Sequence, residues 1–375
     1  MSKYIDPKAN TYSLIEFQSK YGTEESCEQA LFQLKWPEGF KCPKCGSCYY
    51  TVISGRRLPL YQCLVCRRQT SITAGTIMAN TKLSLVKWFL ALYFVATNKD
   101  GISEMALSKY INVTLKTAWA LLHKIRHAMG EREGLYRLGG SIEMDEAFFG
   151  GKAAGKRGRG SENKTEVAVA LQLDGDGHPQ FLKMQIIPDA KGSSLLSFVR
   201  SNVTEGSTIH SDAFRSYNAL SEDYCCDMQK YDPKSSDGRL KWLHVMISNI
   251  KANIQGAYHG LEGTYLQRYL DEFCYRFNRR HSKKTLFDHL LACSVWAPYK
   301  TVAELGIKSF KILLPSAESH LVYNFFQRDR CLSGCPGKVY LQEGRSDRSV
   351  GEFIKIMPRK PHKIRPGDSG RMSHL

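Results

Sequence analysis

SIEMDEAFFGG, from Ser141 to Gly151, and TIHSDAF, from Thr208 to Phe214, are the two stretches that decide the fold of this chain. Each contains an aspartate, Asp145 or Asp212, at the end of a short run with the two-residue period of a β-strand. One carboxylate buried alone at a strand end would be costly. Two that converge on a divalent cation would be stable. The pattern therefore predicts neighbouring strands that hold metal at their ends.

Strand parity orders the acids of the first stretch. Side chains at alternate positions share a face of a strand, so Glu143 and Asp145 point one way and Glu146 points the other. Asp145 is the predicted metal ligand. For Glu143 the sequence leaves two readings open, a carboxylate that supports the ligand or one that faces solvent.

The region after residue 140 has the element order of an α/β domain. We predict strands at 141–149, 165–173, 180–187, 207–212 and near 227–231, and helices at 193–203, near 214–220, at 243–254 and at 263–279. Three strands followed by alternating helices and strands predict an RNase-H-like α/β core. In that topology the fourth strand lies beside the first, which brings Asp212 next to Asp145.

A third metal ligand is expected from the helix after the fifth strand. The stretch from Trp242 to Gly256 contains no carboxylate. Asn249 offers a hard oxygen suited to magnesium, and His244 offers an imidazole suited to manganese. On a regular helix His244 shares a face with Lys251, and Asn249 is turned away by about 140°. Glu272, on the flank of the following helix, is interpreted as structural.

Composition favours a nucleic-acid partner. The chain has 375 residues, and Lys and Arg exceed Asp and Glu by 53 to 36, for a formal net charge of +17. The most apolar stretch, residues 83–96, is shorter than the roughly 20 residues of a membrane-spanning helix and is read as a core helix. No signal peptide is recognisable, and clustered cysteines indicate a reducing compartment. We therefore expect a cytoplasmic protein without a membrane partner.

Four cysteines have the spacing of a zinc ribbon. Cys42-Pro-Lys-Cys45 and Cys63-Leu-Val-Cys66 are two CxxC knuckles separated by a predicted hairpin. Two thiolates from each knuckle complete a tetrahedron around zinc. Because four protein ligands leave no open coordination position, this zinc is expected to stabilise the ribbon and not to catalyse.

The segment between the ribbon and the α/β core has the pattern of a helix-turn-helix. A short helix after Ser103, a turn, and a longer helix from Thr114 carry Lys116, Lys124 and Arg126 on the side opposite the apolar residues. A plain helical hairpin is the alternative. The glycine- and lysine-rich loop at 151–160 is interpreted as an arm that contacts phosphates.

Taken in order, these motifs resemble bacterial insertion-sequence transposases of the ISXO-type group, which are DDE enzymes related to Merlin elements. The resemblance covers roughly residues 12–305 and implies two divalent cations, Mg²⁺ or Mn²⁺, per active site. It maps the first two acids onto Asp145 and Asp212. Since family members carry Glu or Asn third with a lysine nearby, it transfers to Asn249 and Lys251, and His244 stays the rival ligand.

The resemblance also implies the partners and the domain order. The partners are the terminal inverted repeats of an element and target DNA, bound by a homo-oligomer associated with the bacterial nucleoid. We predict a helical lead-in at 1–35, the zinc ribbon at 36–80, the helix-turn-helix region at 81–133 and the catalytic domain at 140–305. The basic segment 306–375 is either a disordered DNA-binding tail or a non-native extension.

The absent third carboxylate leaves a second function open. A transposase-derived regulator that binds a specific DNA sequence without cutting it would keep the ribbon and the helix-turn-helix. A nuclease without site preference is a weaker reading, because two DNA-reading modules precede the core.

Overall fold

The computed structural model describes residues 12–150, 164–229, 239–258, 263–282 and 286–306. Its N-terminal part begins with helices α1 (Leu14–Tyr21) and α2 (Glu24–Lys35). A three-stranded antiparallel sheet follows, formed by β1 (Tyr50–Ile53), β2 (Leu60–Cys63) and β3 (Gln69–Ser71). Three helices then lead to the second sheet: α3 (Leu85–Thr97), α4 (Glu104–Tyr110) and α5 (Leu115–Glu133).

The second sheet has five strands with the order expected of an RNase-H-like core. They are β4 (Ser141–Phe149), β5 (Thr165–Leu173), β6 (Pro179–Ile186), β7 (Thr208–Ser211) and β8 (Cys225–Met228), in the spatial order β6-β5-β4-β7-β8. The first three pair antiparallel, whereas β4 with β7 and β7 with β8 pair parallel. The helices are α6 (Gly192–Asn202), a 3₁₀ turn (Arg215–Leu220), α7 (Lys241–Tyr258), α8 (Gly263–Asn278) and α9 (Leu286–Trp296).

The predicted elements are confirmed to within a few residues. The first two strands of the core have the predicted bounds, and the ribbon hairpin and the core helix at 83–96 are present. Ser103 and Thr114 accept backbone N–H bonds at the starts of α4 and α5, as expected of N-cap residues. The sequence did not predict β3 or α9. The basic loop at 151–160 and nearly all of the segment 306–375 lie outside the described residues.

Helix α9 packs into the N-terminal hydrophobic cluster, although it follows the RNase-H-like elements in sequence. Phe287 contacts Phe17 edge-to-face at 5.2 Å between ring centroids and Phe89 at 6.1 Å. Leu290 and Leu291 are buried in the same cluster. The N-terminal core is therefore built from both ends of the described chain.

The interpretation of Arg126 as part of a DNA-facing surface is wrong. Only 1% of Arg126 is exposed, and its Nε donates to Glu272 Oε2 at 2.8 Å. Glu272 also accepts from Arg276 Nη2 at 2.8 Å. Burial alone would raise the pKa of Glu272, but Arg276 and Arg126 hold it at about 2. The carboxylate thus joins α5 to α8 as a buried ion pair.

We predict that Glu272→Gln lowers the free energy of unfolding by about 3 kcal/mol. It removes the nearer of the two carboxylates that neutralise the buried Arg126 guanidinium, since Glu104 lies 3.5 Å away. Chemical denaturation of the full chain measures the change, with the exposed Glu205→Gln as the matched control. A loss as small as that of the control would show that the pair does not stabilise the α5–α8 interface.

Candidate active site and zinc ribbon

The parallel pairing of β4 with β7 directs the two predicted aspartates toward the same edge of the sheet. Glu143 pairs with His210, and two residues further along the chain lie Asp145, still on β4, and Asp212, which follows the last residue of β7. Neighbouring strands are about 4.8 Å apart, and aligned residues of a parallel pair point to the same face. Both carboxylates therefore stand at the same edge of the sheet, where β7 ends.

A buried tyrosine beneath this edge supports the proximity of the two carboxylates. Tyr217, in the 3₁₀ turn after Asp212, is fully buried, and burial raises its pKa well above the usual value. The negative charges of Glu146, Asp145 and Asp212 raise that pKa further. All three acids therefore lie within electrostatic range of one hydroxyl.

Helix α7 contributes a histidine to the acidic edge. His244 Nε2 lies 3.2 Å from Asp145 Oδ2. Lys251, two turns later on the same helix, also lies near Asp145: burial and Lys164 lower its pKa, and the Asp145 charge opposes this. The helical-face argument from the sequence, which grouped His244 with Lys251, agrees with this placement.

Asn249 lies on a different face of α7. It lines a cavity of about 930 Å³ between the end of α3, α7 and α8, together with Lys99, Asp100 and Arg276. The structure thus brings His244, and not Asn249, to Asp145. The transfer of the third ligand to Asn249, based on family resemblance, has no support in this geometry.

Glu143 is the functional residue whose role the sequence left open. It is 5% exposed, and its two carboxylate oxygens accept the N–H groups of Leu240 at 2.9 Å and Leu243 at 3.2 Å. Burial raises its pKa, and these two hydrogen bonds oppose the rise. Glu143 therefore caps the N-terminus of α7 and does not face solvent.

A second polar group beside the acids was not predicted. The carboxylate of Asp227 on β8 is hydrogen-bonded to His210 Nδ1 at 3.0 Å and to Arg239 Nη1 at 2.7 Å. The contact with Arg239, followed by that with His210, lowers the pKa of Asp227 to about 2. Arg239 Nη2 also donates to the carbonyl of Ser211 at 3.2 Å. The only sequence signal was a single acid on the last strand.

The four predicted zinc ligands converge. The Sγ atoms of Cys42 and Cys66 are 3.5 Å apart, and those of Cys45 and Cys63 are 3.6 Å apart. Sulfurs bound tetrahedrally at about 2.3 Å from zinc are about 3.8 Å from one another. The donor set and its spacing therefore fit a structural zinc ion.

Two family models match the chain. Residues 137–278 match the ISXO2-like transposase domain, and residues 22–69 match the transposase zinc-ribbon domain. The chain thus contains an ISXO2-like transposase domain preceded by a transposase zinc ribbon. The first match contains the acidic strand ends and α7, and the second contains all four cysteines.

A curated relative and several solved structures resemble this transposase. An uncharacterized protein in transposable element ISH50 of Halobacterium salinarum is 26% identical over 218 residues, which are 54% of this chain and 71% of the relative. The Mos1 strand transfer complex is 12% identical. The match covers 57% of this chain and 78% of the Mos1 chain, with a TM-score of 0.23. A simian T-cell lymphotropic virus intasome in complex with PP2A regulatory subunit B56 gamma is 13% identical. The match covers 62% of this chain and 76% of the chain in that structure, with a TM-score of 0.22. The strand order β6-β5-β4-β7-β8 is what identifies the RNase-H-like fold, because TM-scores this low do not.

Apart from the four cysteines, the described part of the transposase holds one tight group of at least three ligand-type side chains. Asp174, Asp176 and His178 lie in the turn between β5 and β6. Asp174 accepts hydrogen bonds from the backbone N–H groups of Asp176 and His178, as is common where an aspartate stabilises a turn.

Among the described helices, none is long and apolar enough to cross a membrane.

We predict that the purified transposase contains about one zinc per chain. Cys63→Ser should lose that zinc and lower the melting temperature, because the ribbon has little core without its metal. The exposed Cys48, which lies outside the four-cysteine group, provides the matched control Cys48→Ser. Metal analysis by mass spectrometry tests this, and full zinc occupancy in Cys63→Ser would contradict the assignment.

Proposed function

We propose that this transposase binds the ends of its insertion sequence and catalyses metal-dependent strand cleavage and strand transfer. The observation that carries the proposal is the contact of His244 with Asp145 on β4, beside the end of the neighbouring strand β7, which Asp212 follows directly. Two carboxylates and an imidazole in a chain with a net charge of +17 suit chemistry on a polyanion.

The donor set fits divalent cations. Asp145, Asp212 and His244 would hold them, two per site by analogy with DDE enzymes, and the imidazole favours Mn²⁺ over Mg²⁺ more than a third carboxylate would. When bound, the cations neutralise charge at the reacting phosphate. Lys251, near Asp145, adds a positive charge that can bind a neighbouring phosphate of the strand.

The helix-turn-helix reading is proposed for α4 and the start of α5. Asn112, Thr114 and Lys116 are exposed there, whereas α5 is buried almost throughout from Leu121 to Met129. In helix-turn-helix proteins the N-terminal residues of the second helix contact base edges. The DNA-reading part of α5 is therefore confined to its first turns, and the rest anchors it against α8.

The assembly and the domain division are also proposed. Terminal inverted repeats and target DNA are the partners, and a homo-oligomer in the bacterial cytoplasm holds the ends together. We keep the ribbon at 36–80, the DNA-reading helices at 81–133 and the catalytic domain from residue 140. Helix α9 is the exception, because it packs with the N-terminal helices.

The alternative, a regulator that no longer cuts DNA, was suggested by the missing third carboxylate and by the unusual basic segment 306–375. His244 at 3.2 Å from Asp145 supplies a ligand-type atom in that place. The geometry therefore favours an active enzyme.

We predict that Asp145→Asn and Asp212→Asn each abolish cleavage of end-bearing DNA while binding stays nearly intact, because these carboxylates hold metal and contact no bases. Asp174→Asn, in the exposed turn between β5 and β6, is the matched control. Cleavage and gel-shift assays on the same DNA measure both properties. A mutant of Asp145 or Asp212 that cuts within about tenfold of wild type, or about 1.4 kcal/mol of barrier, would remove that residue from the site.

The third ligand is predicted to be His244. His244→Ala should abolish strand transfer, and the wild type should work better with manganese than with magnesium, because imidazole is the softer donor. Asn249→Ala, on the same helix but in the cavity beside Arg276, should keep most of its activity. The reverse result, loss with Asn249→Ala and retention with His244→Ala, would restore the family assignment. Activity in both variants would reject both residues.

A further inference from the structure

A buried carboxylate, that of Glu143, attaches the N-terminus of α7 to the sheet. Leu240 immediately precedes α7 and Leu243 lies in its first turn, and both donate their backbone N–H groups to Glu143. The first N–H groups of a helix have no partner within the helix, so they need an acceptor from elsewhere. A negative charge at this end also interacts favourably with the helix dipole. Glu143 provides both.

The position of Glu143 links this cap to the site. It lies two residues before Asp145 on the same face of β4, and His244 follows Leu243 directly on α7. The same strand therefore carries the metal ligand and the group that holds the helix. Any shift of the α7 N-terminus along the sheet would change the 3.2 Å separation between His244 Nε2 and Asp145 Oδ2.

Arg239 connects the same end of α7 to β7 and β8 through hydrogen bonds. Its guanidinium bonds to Asp227 on β8 and to the carbonyl of Ser211, the residue before Asp212. The start of α7 is thus tied to β4 through Glu143 and to β7 and β8 through Arg239. These ties fix the helix relative to both strands that carry aspartates.

We propose that Glu143 is a positioning residue of the active site: it docks the N-terminus of α7 on β4 and thereby sets the imidazole of His244 against Asp145. The proposal rests on the proposed function of this site. Glu143 is not itself assigned as a metal ligand, because each of its oxygens already accepts a hydrogen bond from the helix.

The chain contains a matched control for this cap. Glu24 on α2 caps α3 in the same way, since its two carboxylate oxygens accept the N–H groups of Leu85 and Val86, each at 3.0 Å. Glu143→Gln and Glu24→Gln therefore make the same chemical change at two helix starts, of which only one carries a ligand of the site.

The experiment compares both variants in the full chain with three measurements: hydrogen exchange of the capped amides, affinity for Mn²⁺ alone by electron paramagnetic resonance, and cleavage as a function of Mn²⁺. Each variant should lose exchange protection at its own helix start. Glu143→Gln should weaken Mn²⁺ binding, and raise the Mn²⁺ needed for half-maximal cleavage, by about tenfold, as loss of an outer partner of a metal ligand does. Glu24→Gln should leave both Mn²⁺ values unchanged. Glu143→Asp, which keeps the charge on a shorter side chain, replaces Glu143→Gln if that variant does not fold.

The outcomes separate this proposal from the proposed function. If Asp145→Asn loses Mn²⁺ binding and cleavage while Glu143→Gln behaves like Glu24→Gln, Glu143 is only a structural cap and the inference is overturned. If Asp145→Asn still binds Mn²⁺ and cuts DNA, the proposed function of the site fails. Loss of Mn²⁺ affinity in Glu143→Gln alone, with the matching loss of exchange protection at Leu240 and Leu243, supports the inference.

Discussion

The register between β4 and β7 is the constraint on which the site depends. Shifting one strand by a single residue would turn its side chains to the opposite face of the sheet. Asp212 would then no longer share a face with Asp145. The antiparallel pairing of β4 with β5 runs along all nine residues of β4, and it holds the strand while the much shorter β7 adds only three pairs. The long β4–β5 pairing fixes the position of β4, and the short β4–β7 pairing determines where Asp212 lies.

Helix α7 completes the arrangement because it meets the sheet through charge as well as through apolar packing. Its Leu243, Met246, Ile247 and Ile250 are buried against β4, β5 and α8. Apolar contacts of this kind are not directional, so they leave the helix some freedom to slide and rotate. The hydrogen bonds that Glu143 accepts and Arg239 donates are directional, and they remove that freedom at the end nearest the acids.

The fold could be predicted from the sequence to a large extent, and the site only in part. Two-residue periods and N-cap residues identify local structure, which is why the bounds of β4 and β5 were predicted. Asp145 and Asp212 were found because strand ends in a known topology meet. The role of Glu143 and the burial of Arg126 depend on partners about 100 and 146 residues away. Local sequence patterns contain no information about those distant partners. The amphipathic pattern of the predicted helix therefore placed Arg126 on the surface.

The entry of α9 into the N-terminal cluster has a consequence for synthesis. A ribosome adds about 5–20 residues per second, so the roughly 200 residues between Phe89 and Phe287 take on the order of ten to forty seconds to appear. During that interval the first helices lack the aromatic and leucine side chains that complete their core. The strands of the second sheet leave the ribosome before α9 does, since they precede it in the sequence. Contacts between residues so distant in sequence also slow folding, so the module made first is completed last.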